Sequence, residues 1–134
     1  MRVAAKPELF DAEPEQPLLR ATRCGGCGRI AFPPLSIGCD ACGANQLVAI
    51  SIETAGHVHA SATVHRHHGQ PPPPFVVVEV RLDAGPIVRA LAAPEVDRFT
   101  VGDRVEARWR TTKNDDGNDV VEPVFAPTSG PAAQ

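Results

Sequence analysis

Two short segments, Cys24-Gly25-Gly26-Cys27-Gly28 and Cys39-Asp40-Ala41-Cys42-Gly43, contain all four cysteines of this 134-residue chain. In each segment two residues separate the thiols, which lets both sulfurs of a tight turn point at one cation. The glycine after each pair permits the positive φ that turns backbone amides toward the sulfurs. Cys24, Cys27, Cys39 and Cys42 are therefore predicted to bind a structural metal ion. Four cysteine ligands leave no open position for Lewis-acid chemistry.

Zinc is favoured as the ion, because nothing else in the sequence suggests electron transfer, although four thiolates also hold iron. Two disulfides, inert buried thiols and a redox dithiol are the alternatives. Disulfides suit a secreted protein, whereas residues 1–7 lead into no apolar stretch typical of a secretion signal. A redox motif would need only one cysteine pair. We expect a cytoplasmic protein.

The composition excludes several classes of protein. Hydrophobic residues make up 43% of the chain and charged residues 22%, which is typical of a folded domain rather than a disordered one. No apolar run reaches the roughly 20 residues that a membrane span requires. The formal net charge is -3 and aromatic residues are only 4%, so phosphate contacts and base stacking are both disfavoured. We therefore expect no nucleic-acid partner.

From about residue 48 the pattern becomes period-two, with apolar and polar residues alternating in runs bounded by turn signals. The turns include Asp83-Ala84-Gly85-Pro86 and the loop 113–119. Five strands are predicted over about 75 residues, with no long helix. Five such strands favour a small closed barrel of the oligonucleotide/oligosaccharide-binding type, abbreviated OB-fold, because closure removes exposed edges. An immunoglobulin-like sandwich would need about seven strands.

The predicted fold is thus mainly β, with a zinc ribbon before a five-stranded OB-fold barrel. The predicted parts are an N-terminal extension at 1–17, forming a short helix or disordered, the ribbon at 18–47, the barrel domain at 48–127 and a flexible tail at 128–134.

Candidate contact residues lie outside the cysteine segments. Phe32, Pro33, Pro34 and Leu35 form an apolar stretch that so small a ribbon can hardly bury within itself. It is interpreted either as packing against the barrel or as a partner or ligand contact, and Trp109 is a second candidate contact. The histidines His57, His59, His65, His67 and His68 suggest either a metal site, a general base or the polar face of a strand. No catalytic residue is predicted, because neither a Gly-x-Ser-x-Gly segment, a phosphate loop nor a His-Glu-x-x-His motif occurs.

The order of these features resembles a known family. Five further segments follow the cysteine segments and Phe32-Pro33-Pro34. They are Gly-His-Val at 56–58, Thr-Val-His-Arg at 63–66, Pro-Phe-Val-Val-Val-Glu-Val-Arg-Leu-Asp-Ala-Gly at 74–85, Val-Gly-Asp-Arg-Val at 101–105 and Pro-Val-Phe-Ala-Pro at 123–127. Over roughly residues 18–127 the chain is similar to the DUF35 family, in which a rubredoxin-like zinc ribbon precedes an OB-fold domain associated with acyl-CoA metabolism. Two positions depart from the family: Leu35 stands where a basic residue is frequent, and the region of His59 and Ser61 lacks aromatic residues.

The resemblance implies a non-catalytic accessory subunit that associates with a thiolase-superfamily enzyme, such as a thiolase, a lipid-transfer-type aldolase or HMG-CoA synthase. It also implies a role as a scaffold or in holding the CoA part of a substrate. Two other functions stay open. One is an OB-type module for single-stranded nucleic acid, and the other is a free-standing acyl-CoA thioesterase, for which the sequence offers no nucleophile paired with a base.

Overall fold

The computed structural model describes residues 2–69 and 71–128, and within them the chain is built from strands without helices. The strands are β1 (Phe10–Asp11), β2 (Leu18–Cys24), β3 (Ile30–Ala31), β4 (Leu47–Glu53), β5 (Gly56–Val64), β6 (Phe75–Leu82), β7 (Ile87–Leu91), β8 (Arg104–Lys113) and β9 (Asp119–Pro127). In this part of the chain, accordingly, there is no helix long and apolar enough to cross a membrane.

The N-terminal sheet is organised around β2. Strand β4 pairs antiparallel with β2 along its whole length, from Leu47 opposite Cys24 to Glu53 opposite Leu18. The other edge of β2 pairs with the short strands β1 and β3. The sheet ends at the cysteine segments, because Cys24 is the last residue of β2.

The second sheet has the strand order β7-β6-β5-β8-β9 and is antiparallel throughout. In the described residues its two outer strands, β7 and β9, form no ladder with each other, so the sheet is not closed as predicted. Just after β7, Ala92 forms an isolated bridge with Phe125, and the Ala93 N–H donates to the Phe125 carbonyl oxygen at 2.8 Å. The five strands match the number predicted for an OB-fold. The predicted loop 113–119 connects β8 and β9, with Gly117 at a φ of 83°.

One apolar core serves both sheets. From β6, the side chains of Val78, Val80 and Leu82 are buried, as the period-two pattern predicts. The ribbon strands contribute Leu19 and Ile52 to the same cluster. The two parts of the chain therefore stabilise each other through burial of shared apolar surface.

A close backbone approach fixes the identity of the residue that begins β5. Gly56 is buried and lies opposite both Leu82 of β6 and Val105 of β8. A Cβ atom added there would overlap the Arg81 carbonyl oxygen, which is backbone and cannot rotate away. Only glycine fits between the two neighbouring strands without a backbone shift.

Two parts of the predicted organisation differ from the structure. Residues 2–17, for which a short helix or disorder is predicted, contain β1 and turns, and Ala5 and Val3 hydrogen-bond to Val121 of β9. Strand β4, placed with the barrel from residue 48, instead belongs to the sheet of β2. Period-two alternation identifies a strand but not the strand with which it pairs. The predicted tail lies outside the described residues except for Thr128.

Candidate metal centre and contact surfaces

The four cysteine sulfurs converge at the end of the ribbon. The Sγ atoms of Cys24 and Cys42 are 3.6 Å apart, those of Cys27 and Cys39 are 3.7 Å apart, and all four lie within 4.8 Å of one another. Four thiolates placed tetrahedrally about 2.3 Å from one ion would lie roughly 3.8 Å from each other. The side chains present therefore fit a four-thiolate metal ion.

The two cysteine segments adopt the same local backbone. In the first, the Gly28 N–H donates to the Cys24 carbonyl oxygen at 2.9 Å, and in the second the Gly43 N–H donates to that of Cys39 at 2.9 Å. Gly28 and Gly43 have φ values of 82° and 80°, a region that other residues rarely adopt. The glycine in each segment thus lets the turn reverse and brings its two thiols to one side.

Backbone amides stabilise the two buried thiols as thiolates. The Cys27 N–H, 3.4 Å from the Cys24 sulfur, and the Gly26 N–H, at 3.2 Å, lower the pKa of Cys24 to about 6. The pKa of Cys39 is likewise lowered, first by the Cys42 N–H and then by the Ala41 N–H. Hydrogen bonds to a charged form favour that form.

The pKa of the exposed Cys42 shifts in the opposite direction. The Ala44 N–H lowers its pKa, but the other three thiols outweigh this effect and raise the pKa to about 11. Four negative charges cannot share so small a volume unless a cation compensates them. The donor set is therefore suited to a divalent ion that displaces the thiol protons.

The four cysteines would surround an ion on all sides. In the described residues, the cysteines form the one group of three or more His, Cys, Asp or Glu side chains with metal-binding geometry. Arg29, which follows the first cysteine segment, and Asp40 of the second segment form an ion pair at 2.7 Å beside it. Four sulfur ligands would complete a tetrahedron and leave no open position, which is the arrangement of a structural metal site.

The apolar stretch after β3 divides between the core and the surface. Phe32 is half-buried and packs against the shared core, whereas Pro33 is exposed and Pro34 is half-buried. The Leu35 N–H donates to Thr22 Oγ1 at 3.2 Å, which holds the loop on β2. Next along the chain, Ile37 is 90% exposed. We name the loop 33–37 the ribbon tip.

Ile37 was not singled out from the sequence. The sequence feature that could have identified it is its position between Ser36 and Gly38, two residues before Cys39 and outside any alternating run. Such a position has no strand face along which to reach the core. Exposed large apolar side chains of this kind are candidates for partner contacts.

A cavity of about 370 Å³ lies at the junction of the two sheets. Phe10, Leu19 and Phe32 line it from the ribbon side, and Leu91 and Phe125 from the barrel side. Lys6, Arg89 and Glu122 supply its charged groups. Of the predicted contact residues, Phe32 is the one that reaches this cavity.

The structure places Trp109 beneath the N-terminal segment. Its indole N–H donates to the Pro14 carbonyl oxygen at 2.8 Å, and its ring lies 5.8 Å from that of Phe10. The Arg2 guanidinium stands 5.5 Å from the ring centroid. Trp109 therefore contacts residues of the N-terminal segment of its own chain.

The histidines lie on the surface. His57, His59, His65, His67 and His68 are all exposed, and none belongs to the group with metal-binding geometry in the described residues. His67 lies edge-on to Phe75, with ring centroids 5.1 Å apart. Their arrangement corresponds to the polar surface of β5 and the loop after it.

Comparisons with known proteins give matches to both parts of the chain. Residues 12–48 match the family model of the ChsH2 rubredoxin-like zinc ribbon domain, and residues 50–110 match that of the ChsH2 C-terminal OB-fold domain. A solved structure described as an Ltp2-ChsH2(DUF35) aldolase is similar, with a TM-score of 0.65 and 24% sequence identity. The match covers 82% of this chain and 84% of the other. At this identity the likeness demonstrates the fold.

Proposed function

The chain belongs to the ChsH2 (DUF35) family, with a zinc ribbon followed by an OB-fold domain, and from this we propose that it is a non-catalytic accessory subunit of a thiolase-like enzyme in acyl-CoA metabolism. The observation that carries the proposal is the presence of both ChsH2 domains, in that order, in a chain whose fold resembles a structure described as an Ltp2-ChsH2(DUF35) aldolase. The free thiols suit the reducing cytoplasm, where we expect the complex to act.

Zinc is the ion that we propose for the four cysteines. The sulfur separations of 3.6 and 3.7 Å agree with tetrahedral zinc–thiolate geometry. Iron has the same ligand preference, so the family's zinc ribbon is the reason for choosing zinc. The ion would order residues 24–42, which contain few buried side chains of their own.

The ribbon tip is the proposed contact with the enzyme. It presents Ile37, 90% exposed, next to the exposed Pro33 and the half-buried Leu35. In protein interfaces a few side chains that become fully buried supply most of the affinity. The metal would hold the tip in shape, since Cys39 lies two residues after it.

The junction cavity is the proposed contact with the acyl part of a substrate. Aromatic and aliphatic side chains line most of it, and pockets of about this size that are mainly apolar favour apolar ligands. Lys6 at the cavity suits the negative charges of an acyl-CoA, whereas Arg89 is already paired with Glu79 at 2.7 Å. Calorimetry of a medium-chain acyl-CoA with the purified chain tests this assignment. Lys6→Gln should weaken binding, and equal affinities of this variant and the parent would contradict it.

Affinity capture in the native host tests the main proposal. We expect the tagged chain to retain a near-stoichiometric thiolase-like protein, identified by mass spectrometry, together with one zinc ion per chain in elemental analysis. Ile37→Lys should lose the enzyme. Val101→Lys alters an exposed apolar residue of the barrel, 71% exposed, and should keep it. Recovery of the chain alone, or with nucleic acid in a salt-sensitive manner, would contradict the proposal.

A further inference from the structure

Strand β4 presents a bare edge to solvent. One edge of its seven residues pairs with β2, and none of the backbone hydrogen bonds or bridges in the described residues engages the other edge. The pairing with β2 runs through seven consecutive residue pairs with no shift in register. An unpaired, regular edge offers a row of N–H and C=O groups to another strand.

The chemistry of β4 makes this edge unusual. Its sequence, Leu-Val-Ala-Ile-Ser-Ile-Glu, contains neither proline nor a cation, and its one charged residue, Glu53, stands at the end. Charged side chains, proline and bulges are the devices that keep strand edges from pairing. Val48 is 46% exposed, so this strand leaves a large apolar side chain in contact with water.

Two other edges in the described part of the chain carry such protection. The edge of β9 is covered by Ala5 and Ala93, whose N–H groups donate to Val121 and Phe125. The free part of β8 carries Arg108, Arg110 and Lys113. The edge of β4, by contrast, carries none of these devices along its seven residues.

We propose that β4 pairs antiparallel with β4 of a second copy of this chain, across a two-fold axis that passes through Ile50. This register uses the whole strand. It places Leu47 opposite Glu53, Val48 opposite Ile52, Ala49 opposite Ser51 and Ile50 opposite itself. The two ribbon sheets then form one continuous eight-stranded sheet.

Two features favour a second copy as the occupant. The strand is self-complementary, because the exposed Val48 of one copy lies beside Ile52 of the other, and Ile52 already packs into the core. The two Glu53 carboxylates lie at opposite ends of the paired strands, about 20 Å apart, so like charges do not oppose pairing. A pair of this kind is closed and leaves no bare β4 edge.

Sedimentation equilibrium of the metal-loaded chain tests the proposal. We expect the mass of two chains, and Val48→Lys should raise the dimer Kd at least about tenfold, because a cation on the edge opposes pairing. Ile37→Lys, at the exposed ribbon tip, is the matched control and should remain dimeric. A monomer at every soluble concentration, or a dimer indifferent to Val48→Lys, would overturn the inference.

Disulfide trapping tests the register even if Val48→Lys fails to fold. Opposed residues in an antiparallel pair have Cα atoms about 4.5–5.5 Å apart, within disulfide reach, whereas diagonal pairs are about 7–8 Å apart. A mixture of Ala49→Cys and Ser51→Cys proteins should therefore cross-link, and each alone should not. Equal yields from the mixture and from either protein alone would contradict the register.

Self-association and enzyme binding are separate proposals, and the variants Val48→Lys and Ile37→Lys distinguish between them. Val48→Lys should lose the dimer and keep the captured enzyme, while Ile37→Lys should lose the enzyme and keep the dimer. If Val48→Lys abolished enzyme capture and the chain alone stayed monomeric, the edge would belong to the enzyme and the proposed dimer would be wrong.

Discussion

The ribbon and the barrel consist of similar antiparallel strands, but different interactions hold them together. In the barrel, Val78, Val80 and Val105 are fully buried and the strands pair in long ladders. In the ribbon, residues 24–46 contain only two buried residues besides Cys24, namely Ala31 and Cys39. A segment with so little apolar burial cannot offset its conformational entropy without another source of stability.

The comparison shows that the two ends of the ribbon are ordered by different interactions. The barrel relies on apolar burial, whereas the cysteine segments bring together four thiols that could hold one cation, and binding of that cation would order them. Leu19, Ala21 and Ile52 nevertheless join the core of the barrel, so the far end of the ribbon sheet is anchored independently of the cysteines. Loss of metal should therefore disorder the ribbon from its cysteine end.

Replacing one ligand should have the largest effect. Cys39→Ser removes a thiolate from a site whose metal contributes apparent free energies of about 10–16 kcal/mol in zinc-finger peptides. We expect loss of bound metal and loss of amide hydrogen-exchange protection in residues 24–47, with β6 and β8 still protected. Ser36→Ala, an exposed change in the same loop, is the control. A Cys39→Ser protein that retained one metal ion and the protected ribbon would contradict the expectation.

A substitution in the barrel should destabilise without touching the metal. In Gly56→Ala the added Cβ meets the Arg81 carbonyl oxygen, so the backbone must shift, at a cost of about 1–3 kcal/mol. Urea unfolding followed by Trp109 fluorescence measures the change. Ser61→Ala, on the exposed part of the same strand, should stay within about 0.5 kcal/mol of the parent. Equal stabilities for the two variants would refute the steric argument.

The N-terminal segment should loosen when one of its hydrogen bonds to the barrel is removed. Trp109→Phe keeps an aromatic ring but loses the indole N–H that donates to Pro14, at a cost of about 0.5–1.5 kcal/mol. Faster hydrogen exchange in residues 2–16 is expected, with the ribbon unchanged. Val101→Ala serves as the control on the same domain. Unaltered exchange would mean that other contacts hold the segment.

The smallest effect concerns one surface ion pair of the barrel. Arg104 lowers the pKa of Asp83, and both side chains are partly exposed, 40% for Arg104 and 52% for Asp83, so the pair contributes less than about 1 kcal/mol. Because the pKa of Asp83 is depressed in the folded state, the pair stabilises the protein at pH values above the unfolded-state pKa of about 3.9. This stabilisation is lost as the pH falls through the folded-state pKa. The difference in unfolding free energy between the parent and Asp83→Asn should shrink accordingly in acid. A difference independent of pH would be inconsistent with the pair.

Local chemistry made much of the fold predictable. The spacing of Cys24, Cys27, Cys39 and Cys42 is sufficient to predict their convergence, since each pair folds within five residues. The alternating run from Val76 to Leu82 likewise identifies a strand that faces the core, with Val78, Val80 and Leu82 buried.

Pairing between distant segments could not be predicted in the same way. The alternation of Leu47–Glu53 is compatible with either sheet, and its choice of β2 depends on long-range burial of Ile52. The contacts of Val3 and Ala5 with Val121 join opposite ends of the chain, with no turn to mark them. The exposure of Ile37 also follows from tertiary structure, because an isoleucine is more frequently buried.

The most direct test of the proposed role is to remove the metal from the captured complex. We predict that a strong chelator releases the chain from its enzyme while the barrel remains folded by Trp109 fluorescence, and that zinc restores the complex. A complex that survived complete metal removal would show that the ribbon does not hold the enzyme, and would contradict the accessory-subunit model in the form proposed.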